Sequence, residues 1–233
     1  MSYATSEVSG MLKEIEKIRT SPLFENIQEP DLSAMLNCLG AAVREYKKSE
    51  FVFWEGAELK QIGVVIEGTV HMVKEDVWGE KTILAVMTPG EIFGESFVCG
   101  EYDSSTVSFQ ASSDCKILCL SFHRVLCVCS KACAYHNRLV ENMVTLIAHK
   151  NVKLMEKIAV LSKKSIRDRI LTWLSQQVQL YGSATFLSPL GRLDLADYLC
   201  VDRSALTREL SRMKSDGLLD YDKNTFVLKV PVK

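Results

Sequence analysis

The stretch from Phe51 to Phe122 consists of short apolar runs separated by glycine-containing turns, and this pattern restricts the fold more than any other feature of the chain. The runs are rich in β-branched and aromatic residues and comprise Phe51–Trp54, Ile62–Ile66, Thr69–Val73, Thr82–Met87 and Ile117–Leu120. Many short strands with closely spaced turn signals are typical of a sandwich or barrel. Because no helical pattern intervenes between them, a parallel α/β sheet is excluded.

Helical patterns flank this strand-rich stretch on both sides. Up to about Tyr46 the sequence predicts short helices, with proline at first-turn positions in Ser21-Pro22 and Pro30-Asp31. From about Tyr135 the chain is predicted to be helical again, and a further amphipathic helix covers Ser165–Tyr181. The sequence therefore predicts an α+β fold with a β-rich middle and a helical C-terminal part.

A heptad pattern runs along the helix predicted after Tyr135. The seam consists of Val140, Val144, Ile147, Asn151, Leu154, Ile158 and Leu161. Alternating steps of four and three residues are typical of a parallel coiled coil, and a polar residue such as Asn151 inside the seam favours a two-stranded state. A second stripe of Leu139, Met143 and Leu146 predicts that the helix also packs on its own domain. We therefore expect a homodimer.

Two helices joined by a tight turn are predicted near the C-terminus. The first helix leads into a corner at Cys200-Val201, and Asp202 stands where the N-cap of the second helix belongs. The second helix would bury Leu206, Leu210 and Met213, and Gly217 would end it. Strands at Leu218–Tyr221 and Thr225–Val230, with a turn at Lys223-Asn224, predict a β-wing after the second helix.

The outward face of that second helix is polar and basic. It presents Arg203, Ser204, Thr207, Arg208 and Arg212. Arginine suits guanine O6 and N7, while serine and threonine reach base edges or phosphates. Charge alone would fit a solvated helix face equally well, but the turn, the N-cap and the wing together favour double-stranded DNA as a partner.

The net charge of −1 conceals an uneven distribution. Residues 1–162 carry 16 Lys+Arg and 21 Asp+Glu, whereas residues 163–233 carry 12 and 8. A basic C-terminal third attached to an acidic body fits an anion-binding module joined to another domain. No apolar run approaches the ~18 residues of a membrane span, and the first twenty residues contain no continuous apolar run of a secretion signal, so a cytoplasmic protein without a membrane partner is expected.

Several of these segments resemble one known family. Their sequences are Val65-Ile66-Glu67-Gly68-Thr69-Val70, Thr88-Pro89-Gly90-Glu91-Ile92-Phe93-Gly94-Glu95 and Val201-Asp202-Arg203-Ser204-Ala205-Leu206-Thr207-Arg208. Over residues 21–230 the chain resembles bacterial transcription regulators of the cyclic-AMP receptor protein and fumarate–nitrate regulator (Crp/Fnr) family. The resemblance implies a jelly-roll β-barrel sensor domain (1–134), a dimerisation helix (135–162) and a winged helix-turn-helix domain (163–233). It also implies RNA polymerase as a partner. Because the barrel segment lacks a full set of histidine and carboxylate ligands, we expect no enzymatic activity.

The chain departs from the family pattern in its recognition helix. The family usually has Ser-Arg-Glu-Thr-Val there, and Arg203 and Arg208 match the two arginines that contact bases. Ser204 replaces the glutamate, which removes an acceptor for cytosine N4. We therefore predict an altered DNA half-site.

The sensor segment departs from the pattern of cyclic-nucleotide binders. The predicted ligand-binding residues are Gly94, Glu95, Ser96, Ser105, Thr106, Leu154 and Met155. The family's phosphate-binding arginine falls on Ser105 (or Ser104), and the base-contacting positions of the long helix fall on apolar Leu154 and Met155. Without a bidentate cation, a cyclic phosphate loses its main charge-assisted contact. The effector is predicted not to be cyclic AMP, and the sequence identifies neither the effector nor a cofactor.

Three alternatives stay open. A redox or metal sensor would use Cys127, Cys129 and Cys133, the one dense cysteine group, although buried thiols are the commoner outcome. A metal-dependent barrel enzyme would need a set of histidine and carboxylate ligands, of which only His71 lies on a plausible strand. An effector-binding protein without DNA-binding activity is the third alternative.

Overall fold

The structure is a computed structural model, and it describes residues 14–100, 102–126 and 134–229. The chain divides into two compact units. The first is drawn from residues 1–74 and 84–149, and the second from residues 75–83 and 150–233. One long helix, α4 (Ala134–Leu161), contributes to both units. The domain boundaries predicted after residues 134 and 162 stay predictions.

The first unit is a two-sheet sandwich with helices at its chain ends. Its helices are a 3-10 turn (Pro22–Phe24), α1 (Glu29–Cys38), α2 (Glu95–Cys99), α3 (Phe122–Leu126) and the first part of α4. Its strands are β1 (Ala42–Tyr46), β2 (Phe51–Phe53), β3 (Gln61–Glu67), β4 (Val70–Glu75), β5 (Lys81–Met87), β6 (Ile92–Phe93), β7 (Ser108–Ala111) and β8 (Cys115–Ser121). The tip between β4 and β5 belongs to the second unit.

The strands form two four-stranded sheets with orders β1-β8-β3-β6 and β2-β7-β4-β5. The pairs between β1 and β8, β3 and β8, and β4 and β7 are antiparallel. These orders bring strands that are distant in sequence side by side, which is the jelly-roll arrangement. The predicted α+β class and the jelly-roll barrel are both confirmed.

The two faces of strand β3 explain why its sequence is apolar without interruption. Ile62, Val64 and Ile66 pack with the helices outside the sheet, whereas Val65 faces the space between the sheets. Gly63 also faces that space, because a Cβ there would lie 2.2 Å from Cζ of Phe93. Glycine at this position is therefore required for the Phe93 ring to fill the interior.

The helix α4 packs on the first unit through one stripe only. Leu139 is fully buried and Met143 is 4% exposed, in the core that also contains the helices before β1. Val144, by contrast, is 62% exposed. The prediction that the second stripe packs on its own domain is therefore confirmed.

One predicted element is wrong. The sequence up to about Tyr46 was expected to form short helices, but Ala42–Tyr46 is strand β1. Its residues pair with β8, from Ala42 opposite Cys119 to Tyr46 opposite Cys115. A five-residue segment of Ala-Val-Arg-Glu-Tyr has no strong local preference, and the available sheet edge decides its conformation.

The second unit contains four helical segments and a small sheet. They are the end of α4, α5 (Ile166–Tyr181), α6 (Arg192–Leu199) and α7 (Arg203–Ser215), with strands β9 (Thr185–Leu187), β10 (Leu219–Asp222) and β11 (Thr225–Leu228) in the order β10-β11-β9. Ser165 caps α5 by accepting a hydrogen bond from the backbone N–H of Asp168. Trp173 and Phe226 meet edge to face at 5.6 Å between ring centroids and form the centre of the core.

Candidate nucleic-acid interface and sensor site

The corner between α6 and α7 has the tight geometry that the sequence predicted. Cys200 adopts a left-handed conformation with φ of 52° and ends α6. The backbone N–H of Val201 donates to the carbonyl of Ala196 at 3.1 Å. The chain thus turns from α6 into α7 over three residues, Cys200 to Asp202.

Asp202 caps the N-terminus of α7. Its Oδ1 accepts hydrogen bonds from the backbone N–H of Ala205 at 2.9 Å and from the hydroxyl of Ser204 at 2.5 Å. The hydrogen bond from Ser204, followed by the one from the Ala205 backbone, lowers the pKa of Asp202. An ionised carboxylate at this position is also favoured by the partial positive charge of the helix N-terminus.

The two faces of α7 are sharply different. Leu206, Leu210 and Met213 are fully buried. The five residues predicted to contact DNA all lie on the exposed side of the helix; they are Arg203, Ser204, Thr207, Arg208 and Arg212. The structure therefore gathers them on one face, and the hydroxyl of Thr207 donates back to the carbonyl of Arg203 at 2.9 Å.

An ion pair that sequence reasoning missed lies behind this face. The Nε of Arg167 in α5 is 2.6 Å from Oε1 of Glu209, and its Nη2 is 2.8 Å from Oδ2 of Asp216. The hydrogen bonds to Glu209 and Asp216 raise the pKa of Arg167. A salt bridge across 42 residues leaves no periodic signal in the sequence, so only the fold could reveal it.

The wing is a three-stranded sheet, one strand more than predicted. β10 and β11 pair from Leu219 opposite Leu228 to Asp222 opposite Thr225. β9 adds a third strand, with Phe226 opposite Phe186. Lys214 of α7 lies 2.5 Å from Asp220, which ties the wing to the end of the recognition helix.

The predicted sensor residues of the first unit lie at the start of α2 and in the loop before β7. Gly94 has φ of 84° and directly precedes α2, a conformation that glycine adopts without strain. Glu95 is only 2% exposed, and the hydroxyl of Ser96 donates to its Oε1 at 3.4 Å. A carboxyl group is thus buried at the start of α2.

Ser105 stands where the family's phosphate-binding arginine is expected, and its hydroxyl is used within its own loop while its backbone bonds to the loop after β2. The hydroxyl donates to the carbonyl of Val107 at 2.7 Å, and Ser105 as a whole is 2% exposed. Its backbone N–H donates to Ala57 and its carbonyl accepts from Gly56. Thr106 is exposed, and its carbonyl accepts from Nζ of Lys74, which also pairs with Glu55.

Aromatic rings fill the interior beside this loop. Phe93 and Phe109 are nearly fully buried, with ring centroids 5.2 Å apart. Phe53 and Phe97 extend the cluster, at 6.0 Å and 6.4 Å from Phe109. The interior that these rings fill is therefore apolar, which is a poor environment for an anion without a cationic partner.

Two further predicted ligand contacts belong to the second unit. Leu154 and Met155 lie on α4 with 53% and 56% of their surfaces exposed. Their contact with an effector stays a prediction.

Among the described cysteines, Cys38, Cys99 and Cys200 are exposed, whereas Cys115 and Cys119 are buried. Cys115 and Cys119 are buried in the core between the sheets, and burial raises the pKa of the Cys119 thiol. His71 is also buried, on β4. Among the residues that the structure describes, no three His, Cys, Asp or Glu side chains are grouped as metal ligands would be. The predicted group of Cys127, Cys129 and Cys133 lies outside the described residues.

In chain order, the described residues form a jelly-roll barrel, a long helix and a winged helix-turn-helix. Residues 43–131 match the family described as the cyclic nucleotide-binding domain. The transcriptional activator protein FnrL of Cereibacter sphaeroides is 20% identical over 79% of this chain and 75% of its own length. The cyclic AMP receptor protein of Thermus thermophilus is 22% identical over 87% and 89%.

A solved structure has the same fold. The structure of FixK2 from Bradyrhizobium japonicum matches with a TM-score of 0.66 and 21% identity, over 82% of this chain and 93% of that one. The domain match and these relatives make the chain similar to transcription regulators of the Crp/Fnr family, and the shared fold agrees with that likeness. No helix within the described ranges is long and apolar enough to cross a membrane.

Proposed function

We propose that this protein is a sequence-specific DNA-binding transcription regulator in which α7 reads the major groove. The observation that carries the proposal is the capped helix α7, whose one face is fully buried and whose other face gathers three arginines, a serine and a threonine. A recognition helix needs two such faces, because one face packs on its own domain and the opposite, polar face contacts DNA. The ion pair with Arg167 holds the carboxylate of Glu209 towards α5 and away from the proposed DNA-facing side of α7.

Each residue of the exposed face has a role in this proposal. Arg203 and Arg208 donate to guanine O6 and N7, and Arg212 contacts the phosphate backbone. Ser204 and Thr207 reach base edges or phosphates near the N-terminus of the helix. Because Ser204 offers no carboxylate, the half-site lacks the cytosine preference that a glutamate confers.

The proposed active form is a homodimer paired through α4. Within the seam, Val144, Leu154 and Ile158 are 62%, 53% and 58% exposed. A row of large apolar side chains at heptad spacing on one helix is what a two-stranded coiled coil buries. Pairing through it would place two recognition helices for half-sites about one DNA turn apart.

Control of this dimer is assigned to the region between Gly94 and Thr106. A small-molecule effector or a redox event there would shift the long helices and reorient the DNA-binding modules about Lys163-Lys164. The neutral, buried Ser105 supports an effector other than cyclic AMP. RNA polymerase is a proposed further partner and the cytoplasm the proposed location, both through the family.

The test is selection of bound duplexes from a random-sequence library with the unaltered protein, followed by anisotropy titration of the recovered duplex. Arg203→Ala and Arg208→Ala should each weaken binding about tenfold or more. Arg138→Ala is the matched control, because Arg138 is an exposed arginine of α4 outside the proposed surface. Recovery of no enriched sequence would refute the proposal and favour an effector-binding protein without DNA-binding activity.

The sensor is tested separately by calorimetric titration with cyclic AMP. We expect no binding in the micromolar range, because Ser105 stands in place of the arginine that would pair with the cyclic phosphate. Saturable micromolar binding would contradict the assignment of a different effector. Mass spectrometry of small molecules released from the purified protein is the direct route to its chemical class.

A further inference from the structure

Lys157 is a buried cation inside the second unit. It lies on α4 and is only 5% exposed. Its Nζ is 3.2 Å from the carbonyl oxygen of Ile83 in β5 and also donates to the carbonyl oxygen of Tyr198 in α6. The same atom lies 3.2 Å from the centroid of the Tyr198 ring. A buried ammonium group is costly, and here two carbonyls and an aromatic face replace its hydration.

The Tyr198 carbonyl belongs to the end of α6, next to the helix-turn-helix corner. The last carbonyls of a helix have no partner inside the helix and carry partial negative charge. Arg169 of α5 satisfies the next two carbonyls, because its Nη1 donates to the carbonyl oxygen of Leu199 at 3.1 Å and to that of Cys200 at 3.2 Å. Two cations from two different helices therefore hold the chain immediately before Asp202 and α7.

Two residues near Lys157 connect it with other parts of the protein. Lys157 precedes Ile158, which is part of the proposed dimer seam, so the ammonium lies on the helix that would pair with a second copy. Ile83 lies in β5, a strand that passes into the first unit at Leu84. Within the second unit, this one side chain thus joins β5 to the corner that positions α7.

We propose that Lys157 is a positioning residue that fixes the helix-turn-helix corner on the long helix and thereby sets the spacing of the two recognition helices in the dimer. This inference rests on the proposed DNA-binding function. Lys157 itself is buried behind α6 and contacts no DNA. Replacing Lys157 should therefore weaken DNA binding mainly when both DNA-binding modules of the dimer bind one duplex. Replacing a residue that contacts DNA should weaken binding in either case.

The test uses the full-length variant Lys157→Met, which keeps an unbranched apolar stem and removes the donor. Lys153→Met is the matched control, since Lys153 is an exposed lysine one turn earlier on the same helix. Binding is measured on the selected duplex with two half-sites and on a duplex with one half-site. Amide hydrogen exchange of residues 199–206 is measured without DNA.

We expect Lys157→Met to weaken binding to the two-half-site duplex about tenfold and to the single half-site less than about threefold, because only the first requires fixed spacing. Exchange at the corner should be faster in Lys157→Met than in Lys153→Met. Equal losses on both duplexes, or unchanged exchange at the corner, would overturn the inference. If the unaltered protein binds no DNA, the proposed function fails, and the exchange measurement alone still decides whether Lys157 holds the corner.

Discussion

The guanidinium of Arg167 and the carboxylate of Glu209 are joined by a hydrogen bond of 2.6 Å between α5 and α7. Glu209 is the one acidic residue within α7, and its side chain is only 15% exposed. A second contact from Arg167 reaches Asp216 just after the helix. The pair fixes α7 from behind and neutralises a charge that would repel a phosphate backbone.

Replacing Arg167 with glutamine should loosen α7 and leave the largely buried Glu209 with only the longer contact to Arg212, at 3.7 Å. We expect a lower midpoint temperature of unfolding, by about 2–4 °C, and weaker binding to the selected duplex. Thermal unfolding by circular dichroism and anisotropy titration measure the two effects. Arg138→Gln is the control, because the Arg138–Glu141 pair is exposed and such pairs contribute little. Equal effects of the two substitutions would contradict the special role of Arg167.

Restoring the family's glutamate should change the DNA sequence preference. In Ser204→Glu we expect selection to favour cytosine at one half-site position by about tenfold, because the carboxylate accepts from cytosine N4. Ser211→Glu is the control for added negative charge, since Ser211 lies exposed further along the same helix. The same selected sequence for Ser204→Glu and the unaltered protein would show that residue 204 does not contact bases.

Introducing a charged residue into the seam of α4 should dissociate the proposed dimer. Ile158→Glu places two carboxylates opposite each other in a two-stranded coiled coil, and we expect the dimer dissociation constant to rise at least about 100-fold. Val152→Glu introduces the same change at a residue that is 48% exposed and lies off the seam. Analytical ultracentrifugation compares them. If both variants dissociate to the same extent, or if neither dissociates, the dimer contact lies elsewhere.

Lys157 should make stability depend on pH. Burial lowers the pKa of Lys157 to about 7, whereas an unfolded lysine has a pKa of about 10.4. Between these values the unfolded state binds more protons, so the free energy of unfolding should rise with pH by up to about 1.4 kcal/mol per pH unit. The cost of burying the charge is fully present below about pH 7 and disappears as the pH rises through the unfolded value.

Urea unfolding from about pH 6.5 to about pH 9.5 measures this dependence. The difference between the unaltered protein and Lys157→Met isolates the contribution of the lysine. We expect the free energy of unfolding of the variant to vary less with pH. Parallel curves for the two proteins would mean that Lys157 keeps an ordinary pKa in the folded state.

The elements that were predicted correctly are those with a strong local pattern. The cap of α7 follows from Asp202, and its buried stripe follows from Leu206, Leu210 and Met213 at helical spacing. The strand β3 was recognised from its apolar run between turn residues. In each case the information lies within one element, so neighbouring residues suffice to specify it.

The elements that were missed depend on distant partners. β1 is a strand because β8 offers it an edge, and β9 joins the wing because β11 pairs with Phe186. Neither segment contains a strong strand pattern of its own. A sequence alone cannot tell which edges will be available, because strand pairing is a non-local interaction.

The sequence by itself determined the order of barrel, long helix and helix-turn-helix, together with the polar face of α7 and the apolar seam of α4. Only the tertiary structure decided that Ser105 uses its hydroxyl within its own loop, that Arg167 holds Glu209, and that Lys157 is buried against Ile83 and Tyr198. The physical reason is that periodicity and capping act between residues a few positions apart. Burial and hydrogen bonding of a polar side chain depend instead on backbone groups that only the folded chain brings to it.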